Sequence, residues 1–155
     1  MSVEELVDLA RERGAMIATA ESCTGGLLSG AITDVPGSSD VFDRGFITYS
    51  NAAKHDMLGV DPALIEAHGA VSEEVAVAMA EGALRRSTAD IAVSVTGVAG
   101  PGGSEFKPEG LVCFGLAASG KSTRVETLEF GALGRDRVRA KSVAHAMALL
   151  GEALS

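Results

Sequence analysis

Residues 15–35 read AMIATAESCTGGLLSGAITDV. The first six, AMIATA, are small or apolar and carry no charge, which is the pattern of a short buried strand. From Glu21 the composition changes to a glycine-containing turn, ESCTGG, and then to a helix that Pro36 and Gly37 close. A buried strand that passes through a tight turn into a helix is the building unit of an α/β sheet.

The same alternation extends in both directions. Upstream, Val3, Leu6, Val7 and Ala10 recur at helical spacing and Gly14 stops the helix. Downstream, RGFITY (44–49) is a second strand, and SNAAKHDMLGV (50–60) a short helix with Ser50 or Asn51 as its cap. A loop with Pro62 and the segment LIEAHG lead to VSEEVAVAMAEGALRRS (71–87), a helix capped by Ser72 whose first turn holds Glu73 and Glu74, matching its dipole. DIAVSV (90–95) is a third strand, followed by the loop TGVAGPGGSEFKPEG with five glycines and two prolines. LVCFGLAAS and TRVETLEF, joined by GKS, form an antiparallel hairpin. RDRVRAKSVAHAMALLGEAL (135–154) is a long helix with Val138, Ser142, His145 and Leu149 inward. The expected fold is therefore α/β: a single three-layer α/β/α domain over residues 1–155, with a mixed, mostly parallel sheet of about five strands.

Composition narrows the function classes. Hydrophobic residues make up 46% of the chain but aromatics only 4%, so the core is built from Ala, Val, Leu and Ile. A net charge of -8 argues against nucleic acid as a partner, since that binding relies on clustered Lys and Arg. Cys23 and Cys113 form no CxxC or zinc-like spacing, which fits a reduced, cytoplasmic setting and no metal site. The acid-bearing N-terminal helix is unlike a signal peptide, and no apolar run is long enough to span a membrane.

Three loops, after Ala20, Tyr49 and Val95, leave the strand ends where open α/β sheets bind ligands. ESCTGG leads into a helix N-terminus that suits a phosphate or carboxylate, yet it also reads as a plain strand-to-helix turn. TGVAGPGG permits close backbone approach, or simply turns. Lys54 falls in the first turn of its helix, where the dipole favours the neutral amine, a base able to activate a serine such as Ser38 or Ser39, with Tyr49 relaying a proton. A solvated lysine and a tyrosine plugging a strand end are the plain alternative. Cys23 beside Glu21 suggests a Cys-Glu-Lys amidase, or only a small buried residue.

The segments ATAESCTGGLLSGAIT, PGSSDVFDRGFITYSNAAKHDMLGV, GAVSEEVAVAMAEGA, SVTGVAGPGG and KPEGLV occur in the order and spacing of the CinA C-terminal domain family, the nicotinamide-nucleotide amidohydrolases, which this chain resembles from about Ala18 to Ala140. The resemblance implies hydrolysis of the carboxamide of nicotinamide mononucleotide to nicotinic acid mononucleotide and ammonia, without metal or organic cofactor. It implies Ser39 as nucleophile, Lys54 as base and Tyr49 as assisting proton carrier. It places substrate-binding positions at Ser22, Thr24, Gly25, Thr96, Gly97, Gly100 and Arg135, the last near the phosphate. Gly134 stands where the family carries Asn or Asp, and Glu109 where it carries an apolar residue. Longer members add a metal-dependent nucleotide pyrophosphatase domain, for which 155 residues leave no room, so that activity is not expected. A homo-oligomer, such as a dimer, is expected from the apolar face of the last helix. A non-catalytic pyridine-nucleotide-binding or competence-associated module, and a CoA- or sugar-phosphate-binding enzyme, are the competing classes.

Overall fold

The computed structural model describes residues 1–155. Helix α1 (Val3–Arg13) starts in a capping box between Ser2 and Glu5 and ends at Gly14 in the left-handed conformation. Strand β1 (Ile17–Glu21), helix α2 (Leu27–Thr33), a single 3-10 turn (Ser38–Asp40) and strand β2 (Phe42–Ile47) follow. Helices α3 (Asn51–Leu58), α4 (Pro62–His68) and α5 (Glu73–Arg85) come next, then β3 (Ile91–Gly97), β4 (Leu111–Ala118), β5 (Arg124–Glu129) and α6 (Arg135–Leu154). The loop expected around Pro62 thus contains a helix, begun by the Asp61 side chain accepting from Ala63 N and by Pro62 in its first turn.

The five strands lie in the order β2-β1-β3-β4-β5. β1 pairs in parallel with β2 and β3, whereas β3–β4 and β4–β5 are antiparallel, giving the mixed sheet expected. Alternation along the strands divides the core in two. Ile17, Ile91, Val93, Val95 and Phe114 meet α1, α2 and α6 on one face. Ala18, Ala20 and Ala92 meet Leu58 of α3, Ile65 of α4, and Val75, Met79 and Ala83 of α5 on the other. Each fully buried Val, Ile or Leu contributes roughly 1.5–3 kcal/mol.

The second face is lined with small residues because α5 lies almost on the sheet. Ser94 Oγ donates to Ala76 O at 2.6 Å, and a Cβ on Gly115 would stand 2.5 Å from that same oxygen. Gly115→Ala would force the helix away. The parallel trio β2-β1-β3 brings three strand C-termini, Ile47, Glu21 and Gly97, to one edge of the sheet, where the loops that follow them enclose a cleft.

Candidate active site

Lys54 is placed by α3. Ser50 caps it by accepting from Ala53 N, so Lys54 sits at the end of its first turn and points into the sheet edge. The lysine is 1% exposed. Its Nζ lies 3.0 Å from Ser22 Oγ, 3.0 Å from Thr48 O and 3.4 Å from Tyr49 O, and no carboxylate pairs with it. Burial pushes its pKa below the ordinary 10.5, against a weaker upward pull from Cys23 and Glu105. Two of the three neighbours are carbonyl oxygens, which only accept. A charged ammonium donates to all three; a neutral amine, the form burial favours, gives its two N–H groups to Thr48 and Tyr49 and turns its lone pair to the Ser22 hydroxyl. That is the geometry of a base beside its nucleophile.

Ser22 follows β1, and the turn that carries it is held from beneath. Glu21 is fully buried; Thr24 Oγ1 (2.6 Å), Gly26 N (3.2 Å) and Leu28 N (2.9 Å) donate to its Oε1, while Ser29 N (2.9 Å) and Ser29 Oγ (2.6 Å) donate to Oε2. The protein's own carboxylate thus fills the anion position that the sequence offered at the start of α2. Arg139 clamps the turn from outside, donating to Cys23 O at 3.0 Å and Thr24 O at 3.2 Å. Burial raises the Cys23 thiol to about 11, so it stays protonated and is not the nucleophile of a Cys-Glu-Lys site.

The expected site residues fall at different places relative to Lys54. Ser39 lies in the 3-10 turn before β2, at the opposite end of that strand from Lys54. Six strand residues at roughly 3.3 Å each put about 20 Å between the two ends, and the serine beside Lys54 is Ser22. Tyr49 lines the same cleft as Lys54 but meets the amine through its carbonyl; its phenol is 61% exposed and accepts from Arg135 Nη2 at 2.7 Å. Thr24 is fully buried on Glu21, and Gly25 closes the turn by donating to Ser22 O, so neither lines the cleft.

The remaining expectations converge. Ser22, Thr96, Gly97, Gly100 and Arg135 all line one cleft of about 300 Å³ with Lys54, Asn51 and Glu105. Thr96 Oγ1 donates to Ala70 O at 2.8 Å and holds the far wall, and a Cβ on Gly97 would meet Val112 at 2.7 Å. Arg135 spans the mouth, donating to Gly100 O at 2.7 Å and to Tyr49 Oη. Of Arg135, Arg137 and Arg139, only the first faces the cleft. The sequence marks Arg139 only as one of the cations, with Arg135, Arg137 and Lys141, that open the last helix against its dipole and so suit an anion or a solvated face; it marks Glu21 only as a neighbour of Cys23 and gives no sign of Glu105. No three His, Cys, Asp or Glu side chains gather where a metal ion could be held, and no helix is long and apolar enough to cross a membrane.

Known proteins share this architecture. The crystal structure of competence/damage inducible protein CihA from Agrobacterium tumefaciens superposes with a TM-score of 0.91 at 47% identity, covering 98% of this chain and 94% of that one. A competence or damage-inducible protein from Enterobacter asburiae gives 0.92 at 34% identity, covering 100% and 99%. A CinA-like protein of Chlorobium phaeobacteroides is 57% identical over 145 residues, 91% of this chain and 34% of its own length. One from Mycolicibacterium paratuberculosis is 54% identical over 146 residues, again 34% of its own length. This chain spans about a third of those two relatives. The sequence pattern of the CinA C-terminal domain matches residues 1–154, and the chain belongs to that family.

Proposed function

We propose that this domain hydrolyses the carboxamide of nicotinamide mononucleotide to nicotinic acid mononucleotide and ammonia, with Ser22 as nucleophile and Lys54 as its base. The observation that carries this reading is the 3.0 Å contact between Lys54 Nζ and Ser22 Oγ in a buried setting where no carboxylate forms an ion pair with the lysine. The cleft volume lies at the low end for ligand pockets, which suits one nucleotide rather than two. Arg135 lines the mouth of the cleft, and its planar donor fork suits a phosphate there.

Lys54 takes the proton as Ser22 Oγ attacks the carboxamide carbon. It returns that proton to the departing nitrogen, which leaves as ammonia, and the acyl group stays on Ser22. Water then gives a proton to Lys54 and its oxygen to the acyl carbon; the returning proton restores Ser22 and releases the acid. Glu21 and Arg139 hold the serine turn still, so little reorganisation precedes attack.

The test is ammonia release from the mononucleotide in chelator by the wild type, Ser22→Ala and folded Lys54→Met. Release that falls by about 10³-fold or more in both variants is expected of an activated serine. Calorimetric binding without release by the wild type would instead leave a pyridine-nucleotide-binding module.

A further inference from the structure

The cleft is lined by two basic side chains, Lys54 and Arg135, and one acidic one, Glu105. Glu105 sits in a tight turn closed by Ser104 N donating to Lys107 O (2.9 Å) and Lys107 N to Ser104 O (2.8 Å). Glu105 and Phe106 have φ of +52° and +63°, the conformation such turns give to Asn and Gly. Side-chain-bearing residues held there mark places where the surroundings enforce strain, and such places concentrate at functional sites. Here the surroundings are explicit. Lys107 Nζ donates to His68 O and Val71 O, and Glu105 Oε2 accepts from Ala70 N at 3.1 Å. The carboxylate is therefore fixed at the cleft wall, yet no Lys, Arg or His nitrogen lies within 4.0 Å of it.

On the reaction proposed above, the substrate has two charged parts of opposite sign: a phosphate and a ring nitrogen made quaternary by its bond to ribose. With the carboxamide at Ser22 and the phosphate toward Arg135, the cationic ring lies between them, in a cleft whose one acidic lining residue is Glu105. We infer that Glu105 is the counter-charge for the pyridinium ring, and that the site thereby selects amides carried on a cationic ring over amides on a neutral one. This rests on the proposed reaction and adds to it a specificity-determining residue. A strained, pinned turn with an unpaired acid is what such a role requires.

The experiment compares nicotinamide mononucleotide with its reduced 1,4-dihydro form, which keeps the carboxamide, ribose and phosphate but has a neutral ring. Calorimetric Kd values are measured for Ser22→Ala, which holds the amide unreacted, and for Ser22→Ala/Glu105→Gln. The glutamine oxygen still accepts from Ala70 N, so the turn keeps its anchor. Binding of the oxidised form should weaken about three- to fivefold in the double variant, the scale of a partly exposed charge pair, while the reduced form is unchanged. Equal weakening of both would show that Glu105 only supports the loop, and no change for either would show that it does not meet the ring. Either result overturns the inference and leaves the proposed reaction standing. Failure of the oxidised nucleotide to bind Ser22→Ala, and of the wild type to release ammonia from it, would overturn the reaction and the inference together.

Discussion

Replacing Glu21 by Gln tests whether the serine turn is held by a buried carboxylate. The change keeps size and shape but converts one acceptor oxygen into a donor. The amide oxygen is best left facing Thr24, Gly26 and Leu28, three donors, so that the new NH2 faces Ser29. The Ser29 hydroxyl can turn to Thr19 Oγ1, 2.7 Å away, but Ser29 N–H is fixed by α2 and loses its acceptor. One orphaned buried donor costs about 1–3 kcal/mol, and three bonds lose the strength of a charged acceptor, so the expected total is about 2–4 kcal/mol. A domain stable by about 5–15 kcal/mol stays folded after that loss. Denaturant unfolding at constant m-value measures it. Glu21 also ties the two halves of the site, because its carbonyl accepts from Thr48 N at 2.8 Å and Thr48 O accepts from Lys54. The substitution leaves that carbonyl in place but loosens the side-chain bonds that hold the Ser22 turn against it, so the same variant should lower kcat more than it raises KM. Loss of less than about 0.5 kcal/mol, or an unchanged kcat in a destabilised protein, would refute the reasoning.

The Lys54 titration should appear in both rate and stability. The amine must be neutral to act, so kcat rises with pH through a value below 10.5 and then levels; a limb centred at 10.5 would contradict the burial argument. The unfolded chain binds more protons between the lowered native pKa and 10.5, so stability climbs with pH across that window, is complete above 10.5, and is lost as pH falls through the native value; Lys54→Met should flatten the climb. Ser39→Ala should leave kcat and KM unchanged, since Ser39 is exposed before β2; a fall matching that of Ser22→Ala would return the nucleophile to the sequence-based assignment. Thr48 Oγ1 is the one buried side-chain oxygen without a protein partner, and Thr48→Val should raise the unfolding free energy by about 1 kcal/mol, whereas a comparable loss would mean that the hydroxyl is satisfied.

The features legible in the sequence are those with local causes. Ser50 and Ser72 cap their helices because short side-chain oxygens reach free N–H groups one turn away, and each cap is followed by a helix at the expected spacing. Buried runs such as 15–20 and 90–95 announce strands. Helix α4 was passed over, although Asp61-Pro62 is itself a start signal, because seven residues give too little periodicity to register. The clamp that Arg139 forms on the serine turn and the place of Glu105 at the cleft wall are not legible for a different reason. Their roles depend on partners 115 and 35 positions away, Thr24 and Ala70, and no short pattern reports such distances.

Ser39 marks where a local argument fails and a topological one succeeds. Once β1 and β2 are adjacent and parallel, residues that follow them share one edge of the sheet, and residues that precede them share the other. Ser22 follows β1 and Lys54 is on the helix that follows β2, so the two loops must face each other. Ser39 precedes β2, and no side-chain rotamer spans a strand. Nearness in sequence points to Ser38 and Ser39, and the family resemblance to Ser39 of the two, ahead of Ser22, 32 positions from Lys54. Strand direction decides the matter in favour of the more distant residue, because a parallel crossover carries the chain back to its starting edge before it pairs again.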